Sequence, residues 1–275
     1  MCDEISCGAD YRHLAPLVVD EQSRRAFMKR AISLPLAMLL ADPLLAASAA
    51  TDVEEIRLKS ASGEENRAFI AYPEAQKAPA LLLVHEWWGV NDQIKTVARE
   101  FAREGFLTIA VDLYHGAVAT TREEAVSLKN SVKEQQAAAA LVAWVDWLRH
   151  HPRSSGKVGT LGWCYGGGWS LTTSLLTPVE ATVIYYGNVE KSRQQLATLK
   201  SPILGHFGTQ DEHINQQMVT AFETELAAAG KTDFENHWYD ANHAFANPTG
   251  ARYDAEDAAL AWSRTLTFLH KHLNS

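Results

Sequence analysis

Cysteine is scarce in this chain: among 275 residues there are three, Cys2, Cys7 and Cys164. That is too few for a disulfide scaffold, and no Cys/His cluster at ligand spacing suggests a metal site. Basic charge is short as well. Lys and Arg number 25 against 33 Asp and Glu, a formal net charge of -8 that argues against nucleic acid as a partner. No internal repeat and no low-complexity linker interrupts the chain. With 47% hydrophobic and 21% charged residues, a disordered or coiled-coil class is excluded.

Several cofactor signatures are missing too. The run Gly162-Trp163-Cys164-Tyr165-Gly166 does not give G-x-G-x-x-G, and no Lys-Ser/Thr follows it as in a P-loop. In His85-Glu86-Trp87-Trp88-Gly89, Gly89 stands where a zinc-binding H-E-x-x-H needs its second histidine. No cofactor and no metal are expected.

A long uninterrupted apolar run is also lacking. The segment Ala31 to Ala47 is broken by Pro35, Asp42 and Pro43, and it falls short of the roughly 20 apolar residues that a membrane span needs. What precedes it is informative. Ser23-Arg24-Arg25-Ala26-Phe27-Met28-Lys29 fits the twin-arginine export pattern, and Ala47-Ser48-Ala49 fits a small-x-small cleavage site. Residues 1–49 therefore read as a signal peptide that is removed, and 50–275 as one α/β domain. The expected partner during export is the twin-arginine translocase, the expected compartment the periplasm, with no stable membrane anchor after processing. Cleavage would leave Cys164 as the only thiol. In an oxidising compartment a lone thiol is a liability unless it is buried or employed.

The stretch around that thiol organises the rest. Val158 to Gly162 has strand character, Cys164 follows two residues later, and three glycines precede an apolar segment of helical length, Trp169 to Leu176. Strand, sharp turn and helix make a nucleophile elbow, whose central residue is held above the sheet edge and whose neighbours must be small. A helix N-terminus aimed at the sulfur favours a thiolate. A structural turn around an inert cysteine is the plainer reading.

Strands and helices alternate along the mature chain. The pattern predicts strands at 53–58, 67–72, 80–85, 106–111, 157–162, 181–186, 202–208 and 234–239. Helices are predicted from Asp92, as cap, through Arg103; in two pieces over 122–150; and at 190–199, 215–229 and 252–273. This order gives a mostly parallel central sheet with helices on both faces, with ligands beyond the carboxyl ends of the strands. Asp211 falls just after one strand and His243 just after another. The order Cys164, Asp211, His243 matches the nucleophile, acid, base order of an α/β-hydrolase fold. Asp240 is the rival acid, though too close to His243 in sequence. His206 reads as a core histidine and His213 as a surface one. Glu86, immediately after a buried strand, reads as a carboxylate near Cys164. The amides of Trp87 and Tyr165 read as oxyanion donors.

Together the elbow, Gly208-Thr209-Gln210-Asp211, Asn242-His243-Ala244-Phe245, the strand end at Glu86 and Asp112-Leu113-Tyr114 resemble dienelactone hydrolase (carboxymethylenebutenolidase). The resemblance implies a Cys164, Asp211, His243 triad that opens an enol-lactone through an acyl-thioester. It also implies that Glu86 contacts the resting thiol and helps release the thiolate when substrate enters. The family's substrate-carboxylate arginines have no match: those neighbourhoods read His115-Gly116 and Ala244-Phe245-Ala246-Asn247, and Arg122 and Arg252 are the nearest substitutes. The expected substrate is accordingly a small activated ester or lactone. An alternative from another class is a non-catalytic or redox-sensing binding protein with a reactive Cys164.

Overall fold

The computed structural model describes residues 53–59, 63 and 65–274. The segment read as a signal peptide and the start of the mature chain lie outside the described residues. Among the described residues eight strands form a single sheet: β1 (Glu54–Lys59), β2 (Glu65–Ala71), β3 (Ala78–Val84), β4 (Leu107–Asp112), β5 (Ser154–Trp163), β6 (Ala181–Tyr185), β7 (Ile203–Gly208) and β8 (Phe234–Tyr239). Their order is β1-β2-β4-β3-β5-β6-β7-β8, with β2 antiparallel to both β1 and β4 and every other pairing parallel.

The parallel part is built from runs such as Leu81-Leu82-Leu83-Val84, buried on both faces. Such strands need helices on either side. These are α1 (Asp92–Arg103), α2 (Arg122–Ser131), α3 (Glu134–His150), α4 (Tyr165–Leu176), the single turn α5 (Arg193–Leu196), α6 (Gln216–Ala228) and α7 (Ala255–Leu273). Phe101 of α1 and Trp262, Leu266 and Leu269 of α7 pack with Leu81 and Leu83 on one face. Leu141, Trp144 and Leu148 of α3 pack with Leu82, Ile109 and Val158 on the other. Successive strand residues point to opposite faces, so one apolar run feeds both layers.

Four expectations are adjusted by local chemistry. Asn91, not Asp92, caps α1: its side chain accepts from the Ile94 amide at 3.1 Å, and Asp92 becomes the first helical residue, where its charge suits the helix dipole. The helix expected at 190–199 shrinks to one turn. The Asn188 side chain ties down the Glu190 amide at 2.8 Å, and the Ser192–Gln195 capping box starts the helix later. The Asp254 side chain, accepting from the amides of Glu256 and Asp257, starts α7 at Ala255 rather than Arg252. Finally, α4 begins at Tyr165 and takes the three glycines into its first turn.

Candidate active site

The last adjustment follows from crowding. A Cβ on Gly166 would collide with the carbonyl oxygens of Val84 and His85, and one on Gly162 with the backbone of Gly166. Helix α4 therefore starts directly against the ends of β3 and β5. Between strand and helix, Cys164 takes φ 53° and ψ -113°, a left-handed conformation that costs a non-glycine residue about 1–3 kcal/mol. Its amide donates to the Tyr185 carbonyl at 2.9 Å, and its own carbonyl accepts from Gly167 at 3.1 Å. Both ties hold the strained residue in place. The Tyr165 amide is the first of α4, among the N–H groups that have no acceptor within the helix.

The turns after β7 and β8 are stitched to each other, Thr209 N–H to the Tyr239 carbonyl at 2.8 Å and Gln210 N–H to the Ala241 carbonyl at 3.0 Å. That stitching brings Asp211 to His243. Oδ1 of Asp211 accepts the amides of His213 (2.9 Å) and Ile214 (3.0 Å), which leaves Oδ2 for Nδ1 of His243 at 2.6 Å. Nε2 of His243 lies 3.1 Å from Sγ of Cys164. Burial alone would lower the His243 pKa. The neighbouring sulfur and the Asp211 carboxylate outweigh it and hold the imidazole well above its ordinary range. Burial would raise the Asp211 pKa, yet the hydrogen bond and charge of His243 and the two amides win, so the carboxyl is lowered.

Asp240 is exposed and turned toward Thr209 and Gln210. His206 is fully buried with Nδ1 on the Tyr239 hydroxyl and Nε2 on Thr265, a satisfied core residue, and His213 is exposed. Arg122 opens α2, and Arg252 lies in the turn ahead of α7.

Glu86 sits beyond β3, 5% exposed. Oε2 accepts from the Asn247 side-chain amide at 2.6 Å and Oε1 from the Tyr186 hydroxyl at 3.3 Å. Thr249 donates both its amide (3.0 Å) and its hydroxyl (2.7 Å) to Oδ1 of Asn247, so the Asn247 amide must present its N–H to Glu86. Tyr186 links this carboxylate to His243. Its ring centroid is 5.2 Å from that of His243, and burial, with the charges of Glu86 and Cys164, pushes its phenol far up. Neither Asn247 nor Tyr186 was expected as a site residue. Tyr186 did carry a signal, being the last residue of the run at 181–186 and so at the ligand edge of the sheet.

Beside the elbow stands Tyr114, its ring 6.2 Å from Tyr165 and 4.7 Å from His85. Among the described residues its hydroxyl, though buried, meets no hydrogen-bond partner. An unsatisfied buried hydroxyl costs about 1–3 kcal/mol. Tyr114→Phe is therefore expected to leave the urea midpoint unchanged or raise it, and a clear fall would mean the hydroxyl is satisfied in solution. Among the described residues no group of three or more His, Cys, Asp or Glu is placed to hold a metal ion, and no helix is long and apolar enough to cross a membrane.

Comparison with known proteins is consistent along the chain. The model of the dienelactone hydrolase family matches residues 66–273. Carboxymethylenebutenolidases from Pseudomonas putida and Pseudomonas knackmussii are each 30% identical over 230 residues, covering 78% of this chain and 95% of theirs. A dienelactone hydrolase-like promiscuous phosphotriesterase from metagenomic libraries superposes with a TM-score of 0.71 at 21% identity, over 80% of this chain and 99% of that one. At that identity the likeness concerns the fold, and it is the α/β-hydrolase fold with its mostly parallel sheet.

Proposed function

The chain belongs to the dienelactone hydrolase family, and from that premise we propose that it hydrolyses a small activated ester or lactone through Cys164, His243 and Asp211. The observation that carries the proposal is the unbroken line Asp211 Oδ2, His243 Nδ1, His243 Nε2, Cys164 Sγ, at 2.6 and 3.1 Å. In the first half-reaction His243 holds the proton that Cys164 gives up, and Sγ attacks the substrate carbonyl carbon. The carbonyl oxygen becomes an oxyanion facing the amides of Trp87 and Tyr165. His243 then gives its proton to the departing alcohol or enol oxygen, which leaves an acyl-thioester. Water attacks that thioester while His243 takes a water proton, and the acid departs as the sulfur leaves. Asp211 remains ionised throughout and keeps Nδ1–H turned toward itself.

Glu86 acts in this reading as a negative charge opposing the thiolate until substrate displaces it. The hydrogen bonds from Asn247 and Tyr186 define the position from which it would move. The direct test is a screen of small lactones and p-nitrophenyl esters with Cys164→Ser as control. Turnover at ordinary enzymatic rates, lost in the control, is expected. A wild-type protein that turns over no member of the panel would overturn the reading.

Export by the twin-arginine route to the periplasm belongs to the same proposal, on the strength of Arg24, Arg25 and the motif around them. Arg24→Lys with Arg25→Lys is expected to leave the protein in the cytoplasm with its leader attached. Fractionation followed by immunoblotting reads this, and normal periplasmic appearance of the variant would contradict the route.

A further inference from the structure

His85 is fully buried one residue before Glu86, and the triad makes no use of it. Burial lowers its pKa, so the ring is neutral near pH 7. Nε2 receives the Leu113 amide at 3.2 Å, which makes Nε2 the unprotonated nitrogen and places the ring proton on Nδ1. Nδ1 then donates to the carbonyl oxygen of Glu86. The Gly89 amide reaches the same oxygen at 3.4 Å. That carbonyl is thus held by two donors. The Glu86–Trp87 peptide is trans, and in a trans peptide the N–H points opposite to the C=O. Fixing one fixes the other. Just beside it, α4 starts against the carbonyls of Val84 and His85, so the elbow and this peptide are near neighbours.

We propose that His85 is a positioning residue for the oxyanion hole: by holding the Glu86 carbonyl, it turns the Trp87 amide toward the carbonyl oxygen of a substrate attacked by Cys164. This rests on the ester-hydrolase reading above. Tyr114, edge-on to the imidazole with centroids 4.7 Å apart, and Tyr165 at 6.3 Å wedge the ring in that orientation. The Leu113 amide ties it to the chain beyond β4, so the ring joins two strand ends as well.

The test compares two reactions of one sulfur. Acylation by p-nitrophenyl acetate builds an oxyanion, whereas alkylation by iodoacetamide displaces iodide and builds none. Losing an oxyanion donor outright costs about 10²–10³ in kcat, and a misaligned donor costs less. For His85→Leu a fall in kcat of about 10- to 100-fold is expected. KM and the alkylation rate of Cys164 should stay within about threefold. His85→Gln, which keeps one donor and one acceptor, should recover most of kcat. Equal losses in acylation and alkylation, or an unchanged kcat in His85→Leu, would overturn the proposal. Should His85→Leu not fold, the ¹⁵N spectrum of the wild-type ring decides. Protonated Nδ1 with bare Nε2 at pH 7 supports the assignment, and the opposite tautomer removes its basis. Absence of ester turnover in the wild type would sink the hydrolase reading while leaving this spectrum to judge the geometry.

Discussion

Cys164→Ala and His243→Ala are each expected to remove nearly all ester turnover, and the double variant to be little worse than either single one. Groups that act as one unit behave this way: removing a member costs on the order of 10⁶ in kcat, about as much as removing the whole unit. The basis is geometric. His243 is held between Asp211 and Cys164 at 2.6 and 3.1 Å and is only 6% exposed, so under the proposed mechanism it has no nucleophile to serve once the sulfur is gone. Without the imidazole, the sulfur has no group to carry its proton or return one to the leaving oxygen. Initial rates on p-nitrophenyl acetate for the four proteins test this. Losses that multiply, each variant keeping a separate share of activity, would mean the two residues have independent roles.

The next largest effect is expected at Glu86. Two influences oppose each other at Cys164. The nearby sulfur and the Asp211 carboxylate push the His243 pKa up, which favours a charged pair, while the Glu86 carboxylate disfavours a second negative charge. The Glu86 oxygens are held by Tyr186 and Asn247. Glu86→Gln removes the opposing charge and keeps the shape. Iodoacetamide is then expected to alkylate Cys164 about tenfold faster at pH 6, a population shift of about 1.4 kcal/mol. Turnover of p-nitrophenyl acetate should fall by a similar factor, because the charge no longer leaves when substrate arrives. If both rates stay at their wild-type values, Glu86 is a loop residue and the gated thiol should be abandoned.

Much of the frame is legible in the sequence. Runs such as Ala80 to Val84 are apolar without interruption, which only a doubly covered strand explains. Asp211 and His243 were identifiable because strand ends are local features. The elbow was readable for the same reason, since its strand, cysteine and glycines are contiguous. What escaped was set by distant contacts. Asn247 meets Glu86 across 161 positions of sequence, and nothing in Ala246-Asn247-Pro248 announces that its amide is turned by Thr249. His85 reads locally as the end of an apolar strand, and its function as a brace depends on Leu113, which is 28 residues away. The sequence hides the start of α4 because glycines read as a turn. Packing against the end of β3 admits only glycine at 166, and the approach of Tyr185 and Gly187 does the same at 167, so both fit the first turn of that helix.

The central claim is that Cys164 carries the acyl group. A rapid acid quench of the protein during turnover of a slowly hydrolysed p-nitrophenyl ester, followed by digestion and mass spectrometry, tests it most directly. The expected result is an acyl adduct on the peptide containing Cys164, appearing with a burst of p-nitrophenol and absent from Cys164→Ser digests at that position. Steady turnover with no adduct on that peptide, or turnover retained in Cys164→Ala, would contradict it.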